Sequence, residues 1–154
     1  MNGKYNIAIG FIIMGAFMLY GFLLIYLRDF APNAEEWANA YGNGKHFEAR
    51  LAHVHGNLFA FLNIVIGFLL LHFKENLHYS KAISWLAIIG LLMPIGIWAE
   101  LYLGLPPIFV LIGALSMTAS VFIAGISFFK FKNEIKISPV GAAVNSPGRE
   151  PRVS

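Results

Sequence analysis

Cysteine is absent from all 154 residues. Disulfides, iron–sulfur clusters, thiolate-ligated haem and covalently attached c-type haem are excluded with it. Histidine is then the strongest borderline metal ligand left, and there are five. Charge is scarce as well. Only 12% of the residues are Asp, Glu, Lys or Arg, while 58% are apolar. That is too little charge and too much apolar surface for a soluble domain of this size.

What is present is a set of long uncharged runs. Residues 5–27, 51–73 and 101–129 each exceed the roughly 20 residues that span a bilayer, and 82–99 is slightly shorter and ends at Glu100. The chain reads as one all-α, polytopic membrane domain over 1–130, a bundle of four transmembrane helices at about 5–27, 48–73, 82–103 and 108–129. The first run is too long for a secretory signal and is followed by Arg28-Asp29-Phe30, so it reads as an uncleaved anchor. The loop 28–49 carries a short amphipathic helix entered at Pro32-Asn33-Ala34 and broken at Tyr41-Gly42-Asn43-Gly44, with Trp37 and Tyr41 suited to an interface. Pro94 predicts a kink in the third helix. Residues 131–154 are polar and rich in turn formers, which predicts a disordered tail.

The formal charge of +3 could suggest an anionic partner, but its distribution points to topology, and no nucleic-acid partner is expected. With both termini cytoplasmic, one side holds Lys4, Lys74, Lys81, Lys130, Lys132, Lys136, Arg149 and Arg152. The other holds Arg28, Lys45 and Arg50. Positive charge on the inner side favours this arrangement. The start of the second helix and the end of the third then lie at the same outer level.

Ionisable groups at membrane depth are costly and mark function by default. Glu48-Ala-Arg-Leu-Ala-His-Val-His-Gly-Asn57 opens the second helix and contains several. At about 100° per residue, His46, Ala49, Arg50, Gly56, Asn57, Ala60, Asn63, Ile64 and Gly67 lie within about 80° of His53, forming a stripe of polar and small residues. His55 lies about 200° away from His53, on the face of Glu48, Phe59 and Leu62. Side chains two apart on a helix diverge, so the two histidines are not expected to chelate one metal ion. Taken alone, His53 also fits an interior histidine bonded to a carbonyl or to Glu100, and His55 fits an interfacial or subunit contact. His46, His72 and His78 read as solvent or headgroup residues. Ser116, Ser120, Ala124 and Ser127 make a packing ridge on the fourth helix, and Met14, Met18 and Gly21 a packing side on the first.

One outer pocket could collect His53, Asn57, Asn63, Arg50, Trp98, Glu100 and Tyr102. A histidine on such a stripe inside an apolar bundle is a common way to hold b-type haem. Gly56 and Ala60 would leave room for the macrocycle, and Arg50 could pair with a propionate. Phe59, Phe61 and Trp98 would form an apolar wall.

Glu36-Trp37, Ala49-Arg50-Leu51-Ala52-His53 and Trp98-Ala99-Glu100-Leu101-Tyr102-Leu103 together resemble the styrene-oxide isomerases. These are small four-helix membrane proteins of bacteria that bind haem b. The resemblance implies His53 as the iron ligand, Tyr102 in the active site, and a homotrimer in the bacterial inner membrane. The six-on position from His53, where the family has asparagine, is Phe59, and Asn57 and Asn63 are the nearest substitutes. His55 remains an alternative ligand. The implied reaction opens a small hydrophobic epoxide, with ferric haem as Lewis acid, and a 1,2-hydride shift gives the aldehyde. The alternatives from other classes are a small b-type cytochrome that transfers electrons and a membrane component with no enzymatic role.

Overall fold

The computed structural model describes residues 3–73, 77 and 79–130. Its helices are α1 (Gly3–Asp29), α2 (Ala34–Asn39), α3 (Gly44–His72), α4 (Ser80–Gly90), α5 (Leu92–Leu103) and α6 (Ile108–Phe129). No strand occurs among the described residues. Four spans are long and apolar enough to cross a membrane: α1, α3, α4 with α5, and α6. Four crossings return the chain to its starting side, so residues 3 and 130 lie at one end of the bundle. The expected disorder of 131–154 and the expected exposure of His78 fall outside the described residues.

Proline explains the break in the third span. Pro94 has no N–H to offer the carbonyl four residues back, at Gly90, and its ring crowds that carbonyl. The helix tightens there, with the Leu91 amide bonding Ile88 O at 3.0 Å, and then restarts as α5. In place of the kink expected at Pro94, the helix is interrupted three residues earlier, at Leu91. At the far end of α5, Gly104 takes a left-handed conformation with φ of 65°. Its amide bonds Glu100 O at 3.1 Å and the Leu105 amide bonds Ala99 O at 3.4 Å, which satisfies carbonyls that the helix end would otherwise orphan.

α1 lies along α3, the most extensive contact in the bundle, while α6 packs on α4 and α5. The α1–α3 seam sets large groups into small ones. Phe17 of α1 occupies the space a side chain at position 56 would need, and Ile64 of α3 fills the space beside Gly10. His53 lies against Gly21 in the same way. Close helix approach over small residues replaces the hydrophobic drive that lipid does not supply.

Two apolar clusters complete the interior. Ile66, Leu70, Leu77, Ile83, Ala87 and Met117 form one, and Phe17, Ala52 and Ile97 the other. Between them runs a buried polar layer. Asn6 Nδ2 donates to Asn63 Oδ1 at 3.2 Å and to Ser84 O at 3.0 Å. Ser84 Oγ donates to Asn6 Oδ1 at 2.5 Å, and Asn63 Nδ2 donates to Ala87 O at 2.8 Å. Ser120 Oγ reaches Ile83 O at 2.8 Å, so the layer ties α6 to α4 as well. Gly113, Met117, Ser120 and Ser127 are the buried side of α6; of the expected packing ridge Ser120 and Ser127 are buried, while Ser116 and Ala124 are half-buried. Large apolar side chains such as Ile12, Phe22, Phe68 and Phe122 point outward, where lipid receives them.

Candidate functional site

The site is built on the first four turns of α3 and the last four of α1. His53 turns its ring toward α1, and its Nδ1 lies 2.8 Å from the carbonyl oxygen of Phe17. A carbonyl only accepts, so Nδ1 carries a proton, and in the neutral ring the lone pair is on Nε2. None of the described residues bonds that Nε2. Asn57, one turn on, donates through Nδ2 to His53 O at 2.9 Å. That leaves its Oδ1 for other partners.

His53 and Asn57 line a groove of about 610 Å³ between α1 and α3. Met18, Phe22 and Ile25 supply its apolar wall, and Arg28, Arg50 and Tyr41 stand at its outer mouth. The two arginines differ. Arg28 forms a two-pronged pair with Asp29, at 2.8 and 2.7 Å. Arg50 has no carboxylate partner among the described residues. Its guanidinium lies 3.6 Å over the Tyr41 ring and donates to Tyr41 O at 3.2 Å. Arg50 is therefore the cation with a charge to offer at the mouth.

The structure corrects the expectation for His46. It is 3% exposed rather than solvent-facing, and it lines the same groove. Its Nδ1 donates to Trp37 O at 2.6 Å, and its ring stacks on Trp37 at 4.9 Å with Tyr41 edge-on at 5.4 Å. This contact also explains why α3 begins at Gly44 rather than 48. The extra turn is held by α2 folding over it. Trp37 Nε1 is buried and finds no acceptor among the described residues.

The single pocket expected from the sequence is divided by α1. Trp98 and Tyr102 lie on the other flank of that helix. There Tyr102 Oη and Tyr20 Oη are 3.0 Å apart, and Trp98 packs on Tyr102 at 5.2 Å. Phe17, Tyr20, Trp98 and Ile13 line a smaller cavity of about 210 Å³. Tyr20 bridges the two flanks, its ring 6.4 Å from that of His53. His53 and Tyr102 do share a level, as the antiparallel arrangement requires.

Other candidates fall elsewhere. Asn63 is fully buried in the polar layer with Asn6 and has its amide bonded, so it does not reach the groove. Gly56 and Ala60 do not open space for a macrocycle, because Phe17 covers Gly56 and α1 packs closely over Ala60 at Gly10. His55 faces away, bonded to Leu51 O at 2.9 Å with its ring edge-on to Phe59. Phe59 packs against the core cluster around Ile66. Phe61 is 53% exposed on the lipid side, and Glu100 is exposed at the helix end. The expected divergence of His53 and His55 is observed, and among the described residues no group of three or more His, Asp or Glu could hold a metal ion.

Sequence reading did not single out Phe17, Tyr20 or Arg28. Their spacing with Gly21 and Leu24 puts them on the face of α1 that meets α3 and α5, a signal masked by the uniform apolarity of that helix. Comparison of the chain with known protein families, curated proteins and solved structures finds no match.

Proposed function

We propose that the chain is a membrane-embedded isomerase that holds haem b in the α1–α3 groove and opens a small hydrophobic epoxide to an aldehyde. The observation that supports this most is the fixed tautomer of His53, whose Nε2 stands unbonded beside the groove while its Nδ1–H is held by Phe17 O. A histidine ligand to iron is oriented in this way, through a hydrogen bond from its other nitrogen. The donor set also suits the group: one imidazole, an apolar wall, and at the mouth Arg50, with no carboxylate partner among the described residues, to meet propionates.

When bound, ferric haem supplies a Lewis acid for an epoxide oxygen. The protein's own work is orientation and exclusion. Met18, Phe22 and Ile25 give the groove an apolar flank that opens to lipid rather than to water, which disfavours diol formation. Asn57 Oδ1 can accept a hydrogen bond, and its Nδ2 is occupied by the helix backbone. A 1,2-hydride shift moves hydrogen and its electron pair between adjacent carbons, so no second substrate is required. Tyr102 enters this reading only through Tyr20, which touches both it and His53.

Purification in detergent from haem-sufficient cells tests the proposal. The expected result is a Soret band that is lost in His53→Ala and kept in His55→Ala, together with conversion of an aryl epoxide to its aldehyde. A colourless wild-type protein overturns it. A second reading, electron transfer through haem, draws on Met18, whose thioether lines the same groove as His53. A low-spin spectrum that becomes high-spin in Met18→Leu, with no epoxide turnover, selects that reading.

A further inference from the structure

The end of the bundle opposite the His53 groove has its own charge pattern. Among the described residues it carries Lys4, Lys81 and Lys130 and no acid. The five described acids, Asp29, Glu35, Glu36, Glu48 and Glu100, all lie toward the other end. At the lysine end, the start of α4 and the last turns of α6 diverge and leave a second groove of about 360 Å³. Ala82, Ile123 and Ile126 form its apolar floor, and Tyr79 and Lys130 stand at its rim. Ser127 is buried in its wall, and its hydroxyl proton is spent on Ile123 O at 2.8 Å. The floor presents the hydrocarbon of Ala82, Ile123 and Ile126, and the rim presents the Lys130 ammonium.

We propose that this groove binds one anionic phospholipid, with an acyl chain along Ala82, Ile123 and Ile126 and the phosphate against Lys130. The position supports it, because the rim lies where headgroups of the adjoining leaflet lie, and basic pockets between helices on the positive side recognise such headgroups. Charge separates this occupant from its rivals. A second copy of the chain would bring a further lysine-bearing rim to the first. Counted from the sequence, Glu75 is offset by Lys74 in the α3–α4 connection, and the residues after Lys130 carry Lys132, Lys136, Arg149 and Arg152 against Glu134 and Glu150, a balance of the same sign as the rim. A phosphodiester supplies the missing anion, and its acyl chain fills the trough below.

Full-length protein in detergent, titrated with phosphatidylglycerol or phosphatidylcholine of matched chains and followed by native mass spectrometry and thermal unfolding, tests this site. One phosphatidylglycerol per chain is expected, preferred over phosphatidylcholine by about fivefold, the contribution of one lysine near a membrane surface. Lys130→Gln abolishes the preference and Lys130→Arg keeps it; both lie at an exposed helix end. Ala82→Phe fills the trough and removes retention of both lipids. Equal binding of the two lipids overturns the proposal, as does a preference that survives Lys130→Gln or retention that survives Ala82→Phe. Full competition by inorganic phosphate also overturns it, because the ligand would then be a free anion and not a lipid.

Discussion

At the scale of single residues, Gly21 and Tyr20 control the neighbourhood of His53. A methyl group added at Gly21 would sit 2.6 Å from His53 Cε1, so the ring must tilt and loosen its bond to Phe17 O. Gly21→Ala is expected to lower stability by about 1–3 kcal/mol, the usual cost of overpacking, read by thermal unfolding in detergent. Under the haem proposal it also shifts or bleaches the Soret band. Tyr20→Phe removes one hydroxyl of the pair with Tyr102. Its expected cost is about 1 kcal/mol, and a cycle with Tyr102→Phe should show the two changes to be non-additive. Additive effects would mean that the pair carries no coupling. His53 was legible in the sequence because its stripe is defined by polarity. Tyr20 was not, because an aromatic residue in an apolar helix gives no sign of its facing partner.

At the scale of elements, α2 has no buried residue of its own. It lies against α1, and its tie to α3 runs through Trp37, and through Tyr41 just after it, to His46 and Arg50. His46→Ala should therefore release α2 and return the first turn of α3 toward coil. In a chain carrying Trp85→Phe and Trp98→Phe, the remaining Trp37 should become markedly more accessible to acrylamide quenching. Unchanged quenching would show that α2 is held by other contacts. The existence of this short helix was readable from Pro32-Asn33-Ala34 and the glycines at 42 and 44. The burial of His46 was not, because it depends on a stack with a residue nine positions away that helical periodicity does not encode. The break at Leu91 was half legible: Pro94 announces it, and the carbonyl it displaces fixes where it falls.

At the scale of the whole molecule, the polar layer of Asn6, Asn63 and Ser84 holds three helices in register. Asn63→Leu leaves Asn6 with an unmatched amide proton and Ala87 O without its donor. The expected loss is about 1–2 kcal/mol, within the range for interhelical hydrogen bonds in membranes, measured by unfolding in mixed detergent. The number and length of the spans follow from composition alone, since the bilayer imposes both. Which stripes meet does not, because lipid-facing and partner-facing sides of these helices are almost equally apolar. For that reason the pocket read as one unit proved to be two, with α1 between them. The groove beside His53 has a further property. Its lining runs from Met18 to Asn57, so every wall comes from the first two spans and the loop between them. In order of synthesis, it is the earliest interior feature to be completed. A hairpin of α1 and α3, locked by Phe17 over Gly56, completes its walls while the second half of the chain is still on the ribosome.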